Sequence, residues 1–208
     1  KKIKEDGFQK SQIQVLTGVL RLRQAALHAG LIDKNRIKEP SAKLNALVEQ
    51  LHEAISEGHK ALVFSQFTAL LSIVKARLKE EGIKFQYIDG KTGNRKAIVQ
   101  NFKEDQSCKV FLMSLKAGGV GLNLTEADYV FLLDPWWNPA VEAQAIDRTH
   151  RIGQKNKVFA YKFIAKDTVE EKILELQKSK RLLADSVIST DTGFLKNMTA
   201  QDLQVLLS

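Results

Sequence analysis

The stretch Ala61-Leu62-Val63-Phe64 decides how the surrounding sequence is interpreted. It is a short, continuous apolar run, which is typical of a strand buried on both faces. A helical stripe of apolar residues precedes it and another follows it. Strand and helix patterns alternate in this way from Ser41 to Ala165. Such alternation predicts an α/β fold of three layers, with a mainly parallel sheet and right-handed crossovers. The other predicted strands span residues 83–88, 110–113, 130–133 and 158–165.

The predicted helices of this central region have apolar residues at spacings of three and four. Ser41 is a suitable N-cap for the first of them, Gly82 a suitable end for the second, and Pro139 a suitable first-turn residue for a helix to about Ile152. The apolar stripes are Leu44, Leu47, Val48, Leu51 and Ile55, then Leu70, Leu71, Val74 and Leu78, then Ile98, Val99 and Phe102.

The two flanks of the chain have helical patterns and no strand pattern. Residues 1–40 are predicted as a helical segment that precedes the central lobe of residues 41–166. Thr168 to Glu171 match a capping box, which predicts a long helix through Leu183 and Val187, and Thr199 is a suitable cap for a short final helix. We therefore expect three segments, 1–40, 41–166 and 167–208.

The composition excludes several classes of function. Cys108 is the only cysteine in 208 residues, so the chain has neither an internal disulfide nor a cysteine-based metal site, and we expect Cys108 to be a small buried hydrophobe. The four histidines are scattered, and no metal site is predicted. No apolar run is long enough for a bilayer and the first residues do not resemble a secretory signal, so we expect no membrane partner. The single cysteine fits a reducing, intracellular setting. The net charge of +8 favours partners rich in phosphate.

A phosphate-binding loop is not expected in this chain. Gly90-Lys91-Thr92 resembles the end of such a loop, but Phe85 occupies the place of its first glycine, so a strand-to-helix turn is the better interpretation. No acidic pair at a strand end suits a nucleotide-bound Mg²⁺ either. The chain by itself therefore cannot bind ATP in the usual way, and we expect the isolated chain to be inactive.

Three other segments are candidates for chemistry. The glycine-rich run 117–124 follows a strand and favours a phosphate or nucleotide contact over a flexible loop. Gln144, Arg148 and Arg151 are spaced to share one helix face. The two guanidinium groups could bind phosphate there, or the face could be an ordinary solvated one in which Asp147 pairs with an arginine. The two tryptophans in Asp134–Pro139 follow a strand end, where they could stack or wedge against nucleic acid or pack onto the core, and core packing is the preferred interpretation for Trp136.

Together these segments resemble the C-terminal helicase-like lobe of the Swi/Snf family, within helicase superfamily two. The resemblance covers nearly the whole chain, and some details resemble bacterial members. The matching segments are Leu20–Gln24, Val63–Phe67, Asp89-Gly90 with Thr92 and Arg95, Ser114–Leu124, Trp137-Asn138-Pro139 with Gln144–Gln154, and Thr168–Ile173.

The resemblance implies a motor of two RecA-like lobes with ATP and Mg²⁺ between them, held mainly by the first lobe of the same polypeptide. This lobe would contribute Arg148 and Arg151 to catalysis, with Arg151 as the finger on the γ-phosphate. The residues that would line the nucleotide cleft are Gly121, Asn123 and Gln144. The residues that would face the DNA backbone are Ser65, Gln66, Arg95, Ser114, Lys116 and Trp137, with Trp137 as the coupling residue.

The expected function is ATP-dependent translocation on double-stranded DNA, with a DNA-bound protein complex as a further partner. The expected location is the bacterial cytoplasm with its nucleoid, or the nucleus if the source is eukaryotic. Two alternatives are an RNA helicase lobe and a non-catalytic nucleic-acid-binding module with the same fold. The Trp-Asn-Pro and Arg-Ile-Gly-Gln segments argue against the first, and the retained arginines argue against the second.

Overall fold

The computed structural model describes residues 8–114, 117, 122–147, 149, 154, 156–181 and 199–207. These residues belong to two compact units. The sheet unit comprises the described residues of Pro40–Asp134 and Glu142–Phe163, and the helical unit those of Lys1–Glu39, Pro135–Val141 and Ile164–Ser208. The division into segments 1–40, 41–166 and 167–208 remains a prediction.

The sheet unit contains five parallel strands in the order β2-β3-β1-β4-β5. β1 lies in the middle and pairs with β3 through Ala61 and Val110 and with β4 through Ala61 and Tyr129. The predicted α/β fold with a parallel sheet and flanking helices is confirmed. The strands are β1 (Ala61–Ser65), β2 (Phe85–Ile88), β3 (Val110–Ser114), β4 (Tyr129–Leu132) and β5 (Phe159–Lys162).

Helices flank these strands along the chain. Their bounds are α1 (Phe8–Leu27), α2 (Ala42–Ser56), α3 (Thr68–Glu80), α4 (Arg95–Glu104), α5 (Pro139–Ile146), α6 (Val169–Arg181) and α7 (Ala200–Leu207). The Ser41 hydroxyl accepts a hydrogen bond from the Leu44 N–H at 3.4 Å, so the predicted cap of α2 is confirmed. Gly82, which follows α3, has φ of 69°, a conformation that favours glycine.

The core of the sheet unit is apolar and buried. All five residues of β1 and of β3 are buried, as a strand covered on both faces requires. Cys108 is also buried, and burial raises the pKa of its thiol, which agrees with its predicted role as a small hydrophobe. No described helix is long and apolar enough to cross a bilayer.

The helical unit has a separate core. Trp137 packs there with Val19 of α1, and the other buried members are Val169, Ile173, Leu176 and Leu206. Thr199 and Asp202 form a reciprocal cap on α7, in which the Asp202 N–H donates to the Thr199 hydroxyl at 3.2 Å and the Thr199 N–H donates to the Asp202 carboxylate at 2.7 Å. The predicted cap of the last helix is therefore confirmed.

One predicted helix and one predicted strand were longer than the elements in the structure. The helix that begins at Pro139 ends at Ile146 rather than near Ile152, because the Thr149 hydroxyl and N–H both donate to the Ile146 carbonyl and form a turn there. The last strand is limited to Phe159–Lys162. The predicted continuation of α6 through Leu183 and Val187 lies outside the described residues.

Candidate functional site

Two predicted DNA-facing serines end neighbouring strands. Ser65 and Ser114 are register partners in β1 and β3, and both are buried. The Ser65 hydroxyl accepts a hydrogen bond from the Phe67 N–H at 3.0 Å, whereas the buried Ser114 hydroxyl has no hydrogen-bond partner among the described residues. Because the strands are parallel, both hydroxyls belong to the carboxyl-terminal end of the sheet.

Gln66 is held at the same end of the sheet by a carboxylate that the sequence analysis did not select. The Gln66 N–H donates to Asp134, at 3.3 Å from Oδ1 and 3.4 Å from Oδ2. Asp134 is only 1% exposed, and it lies just after β4, next to β1 in the sheet. Its place directly after a predicted strand was the one available signal, because the bond itself joins residues 68 positions apart.

The turn between β2 and α4 is organised by Asp89. Its carboxylate accepts hydrogen bonds from the Tyr87 hydroxyl at 3.0 Å, the Thr92 hydroxyl at 2.9 Å and the Lys91 N–H at 2.9 Å. Hydrogen bonding, first of all from the Thr92 hydroxyl, lowers the pKa of Asp89. Arg95 donates from Nη2 to the Asp89 carbonyl at 3.1 Å and from Nε to the Thr92 carbonyl at 3.2 Å. Gly90-Lys91-Thr92 therefore forms part of a turn between strand and helix, as predicted.

The tryptophan loop, residues 135–138, is held by side chains of the helical unit. Arg23 Nη2 donates to the Pro135 carbonyl at 2.6 Å, and the Gln177 amide donates to the Trp136 carbonyl. Trp136 is 1% exposed, in agreement with the predicted core packing. Trp137 is 6% exposed, and the Arg23 guanidinium carbon lies 5.0 Å from the centroid of its ring. Its indole is thus a core side chain of the helical unit.

The nucleotide-facing candidates, the two catalytic arginines and the DNA-facing Lys116 are described only in part. Gln144 on α5 and Asn123 before β4 are both exposed. Gly121, Lys116, Arg148 and Arg151 lie outside the described residues, so their contacts stay predictions. Just beyond Arg151, the Gln154 amide donates to the carbonyls of Ala127 at 2.9 Å and Thr149 at 3.2 Å. These bonds connect Thr149 and Gln154, which flank Arg151 in the sequence, with Ala127, two residues before β4.

The comparison of sequences decides the family. Residues 42–153 match the family described as the helicase conserved C-terminal domain. This match covers more than half of the chain and includes every strand except β5.

The chain belongs to this helicase C-terminal family.

Its branch is the Swi2/Snf2 ATPases of helicase superfamily two. The solved structure of the Sulfolobus solfataricus SWI2/SNF2 ATPase C-terminal domain is similar over 98% of this chain and 85% of that one, at 30% identity and a TM-score of 0.77. The S. solfataricus SWI2/SNF2 ATPase core in complex with double-stranded DNA is similar over 98% of this chain and 44% of that one, at 32% identity and a TM-score of 0.81. The predicted resemblance to a Swi/Snf C-terminal lobe is confirmed.

Curated relatives are much longer than this lobe. An uncharacterised ATP-dependent helicase of Mycoplasma pneumoniae is 41% identical over 198 residues, which are 93% of this chain and 19% of the relative. The DNA repair protein RAD5 of Cryptococcus neoformans is 47% identical over 169 residues, which are 79% of this chain and 14% of the relative. The helicase lobe thus spans about a fifth or less of these relatives.

The amino-terminal end of the lobe's sheet carries a second polar cluster, which the sequence analysis missed. The buried Asp128 carboxylate accepts hydrogen bonds from His59 Nδ1 at 2.6 Å and from the Asn156 amide at 2.8 Å. Lys60 is 5% exposed and donates to the Phe102 carbonyl and, at 3.0 Å, to the Asp105 carbonyl beyond the end of α4. Within the described part of the lobe, no group of three or more metal-ligating side chains comes together.

Proposed function

We propose that this lobe is the second half of an ATP-dependent motor that moves along double-stranded DNA. The observation that carries the proposal is the convergence of predicted DNA-facing residues on one end of the sheet. Ser65 ends β1, Ser114 ends β3, and Arg95 begins the helix that follows β2. These three strands are neighbours in the order β2-β3-β1. The similarity to a SWI2/SNF2 core in complex with double-stranded DNA supports the choice of duplex DNA as the partner.

This end of the sheet suits contacts with phosphate rather than with bases. Its turns are stabilised by local hydrogen bonds, and Lys91 and Gly90 are exposed in one of them. Hydroxyl groups, backbone amides and cations fix the register of a protein on the DNA backbone without reading its sequence. Lys116 is proposed to add a further cation. Alternating grip by two such lobes would move the DNA backbone stepwise without separating the strands.

Catalysis is proposed to need the missing first lobe. That lobe would bring the phosphate-binding loop and the carboxylates for Mg²⁺, while Arg148 and Arg151 of this lobe would complete the site around the γ-phosphate. Gln144, Gly121 and Asn123 would line the nucleotide cleft. A guanidinium aimed at the transferring phosphoryl group stabilises the charge that builds up in the transition state. The isolated lobe is therefore expected to hydrolyse no ATP.

The test is Arg151→Ala in a two-lobe protein that carries this chain as its second lobe. DNA-stimulated ATP turnover should fall by about 10³-fold, or roughly 4 kcal/mol of barrier, whereas ATP binding should fall far less. Arg151→Lys is the matched control, and it should rescue poorly because an ammonium group cannot reproduce the planar fork. Near-normal turnover with a lowered melting temperature in Arg151→Ala would show instead that this arginine only pairs with an acid such as Asp147, an interaction that contributes about 1 kcal/mol or less to stability.

The choice of nucleic acid and the surroundings of the motor belong to the same proposal. Stimulation by RNA but not by duplex DNA would favour an RNA helicase, and nucleic-acid binding without ATP turnover in the two-lobe protein would favour a non-catalytic module. Lys116→Ala should weaken binding to all DNA sequences alike and lower the salt dependence by about one contact. A bacterial source, an intracellular site of action on nucleoid or nuclear DNA, and a DNA-bound protein complex as the object of the motor complete the proposal.

A further inference from the structure

Arg23 is a buried cation that the proposed ATPase chemistry does not use. It lies on α1, in the helical segment before the lobe, and it is only 1% exposed. It donates a hydrogen bond from Nη2 to the Pro135 carbonyl at 2.6 Å, and its guanidinium carbon lies 5.0 Å from the centroid of the Trp137 ring. Both contacts reach the tryptophan loop, more than 110 residues away in the sequence.

An apolar side chain could fill the same volume without burying a charge. Burial of a guanidinium is costly unless its hydrogen bonds and its contacts with aromatic rings offset the loss of water. The planar guanidinium can do two things that an apolar side chain cannot, because it donates to a carbonyl in its own plane and stacks against a ring with its face. Arg23 donates to the Pro135 carbonyl and its guanidinium lies over the Trp137 ring, and this pair of contacts indicates a role in orienting the loop.

The rest of the tryptophan loop is held in a matching way. The Gln177 amide donates to the Trp136 carbonyl, so the carbonyls of two successive loop residues are bonded by side chains from two different helices. The Asn138 side chain accepts a hydrogen bond from the Ala140 N–H at 2.9 Å and caps α5. The loop therefore determines where α5 begins, and Arg148 and Arg151 follow α5 in the sequence.

We propose that Arg23 is a positioning residue that fixes the orientation of Trp137 and of the tryptophan loop, and so links ATP turnover to DNA movement. The segment before the lobe is then part of the coupling apparatus and not only a connection. The orienting role is inferred from the contacts of Arg23 and does not depend on the motor function, whereas the coupling role rests on the proposed motor function. Two measurements keep these parts separate.

The first measurement uses Trp137 as its own reporter in residues 1–208. The chain has two tryptophans, so Trp136→Phe leaves Trp137 as the single one. In that background, Arg23→Lys and Arg23→Met should both diminish the near-ultraviolet circular dichroism of Trp137 and increase its quenching by acrylamide. Unchanged spectra in both variants would overturn the proposal. If the background variant does not fold, a double-mutant cycle of Arg23→Met and Trp137→Phe on the unfolding free energy replaces it, and additive effects would overturn the proposal equally.

The second measurement is the number of base pairs translocated per ATP hydrolysed by the two-lobe protein. Arg23→Met should lower this ratio about fivefold, within the range seen for residues that couple distant sites. Ile173→Val is the control, since it removes one methylene from the same core and leaves the contacts of the loop carbonyls in place. An unchanged ratio in Arg23→Met, or an equal loss in Ile173→Val, would refute the coupling role. A wild-type protein without DNA-stimulated turnover would instead refute the motor function, and the spectra would still decide the role of Arg23 in the loop.

Discussion

The two ends of the sheet use polar side chains in different ways. At the amino-terminal end, bonds join distant parts of the chain, since Asp128 accepts from His59, 69 residues away, and Lys60 donates to Phe102, 42 residues away. At the carboxyl-terminal end, most bonds stay within one turn, as between Asp89 and Thr92. The exceptions among the described residues there include the bonds from Gln66 to Asp134 and from Lys43 to the Leu133 carbonyl.

Under the proposed function, this difference separates residues that stabilise the sheet unit from residues that contact DNA. A hydrogen bond between distant elements is broken when either element unfolds, so the cluster at the amino-terminal end should stabilise the whole sheet unit. A bond within a turn shapes that turn and leaves outward groups available for a ligand. We therefore expect changes at the amino-terminal end to lower stability, and changes at the carboxyl-terminal end to lower DNA binding with less effect on stability.

The largest expected effect on stability is that of Asp128→Ala. Without the buried carboxylate, His59 and Asn156 lose their partner, so the free energy of unfolding should fall by about 3 kcal/mol. Asp89→Ala is the matched change at the other end, and its loss should be about 1 kcal/mol because its partners lie within an open turn. Urea unfolding of both variants measures the two losses, and equal losses would remove the distinction between the two ends.

Lys60→Met should lower the free energy of unfolding by about 2 kcal/mol, because the carbonyls near the end of α4 lose a buried donor. Methionine keeps most of the aliphatic stem, so the measurement reports the hydrogen bonds together with the contact between the ammonium group and the Phe102 ring. Lys109→Met is the control, since Lys109 also donates to a backbone carbonyl, that of Gly58, but in an exposed position. Its loss should be below about 0.5 kcal/mol, and a larger loss than that of Lys60→Met would contradict the role of burial.

The paired serines test the carboxyl-terminal end. Ser65→Ala removes the acceptor of the Phe67 N–H and should cost about 1 kcal/mol, whereas Ser114→Ala removes a buried hydroxyl that has no hydrogen-bond partner among the described residues and should cost close to zero. Thermal unfolding compares the two. Under the proposed function both variants should bind duplex DNA more weakly. A costly Ser114→Ala with normal DNA binding would assign this hydroxyl to folding alone.

The smallest expected effect is a pH dependence at Tyr87. Burial, together with the hydrogen bond to Asp89, raises the pKa of Tyr87 to about 12. The unfolded chain releases this proton near the ordinary tyrosine pKa of about 10, so the contribution is present below that pH and is lost as the pH rises toward 12. Urea unfolding should show that Tyr87→Phe loses less stability than the wild type over this interval. Parallel losses in the two proteins would show that Tyr87 titrates normally.

Much of the fold was predictable because its signals are local. Ser41, Gly82 and Thr199 act on neighbouring backbone groups, and each has its predicted role in the structure. The helix after Pro139 was predicted too long because the Thr149 hydroxyl binds the Ile146 carbonyl, a choice that periodicity does not reveal. Among the candidate site residues, the resemblance to the family predicts Ser65, Gln66, Ser114 and Arg95, but it does not predict Asp134, which holds Gln66.

The sequence by itself determined the parallel α/β lobe, its flanking helices and its membership of the Swi2/Snf2 branch, because apolar periodicity, caps and family motifs are written in short stretches of neighbouring residues. Only the tertiary structure decided that the Arg23 guanidinium lies over the Trp137 ring, that Asp134 holds Gln66 and that Asp128 binds His59. Each of these contacts joins residues more than 60 positions apart. Such contacts depend on the path of the whole chain, which brings the partners together only after the sheet and the helices have formed.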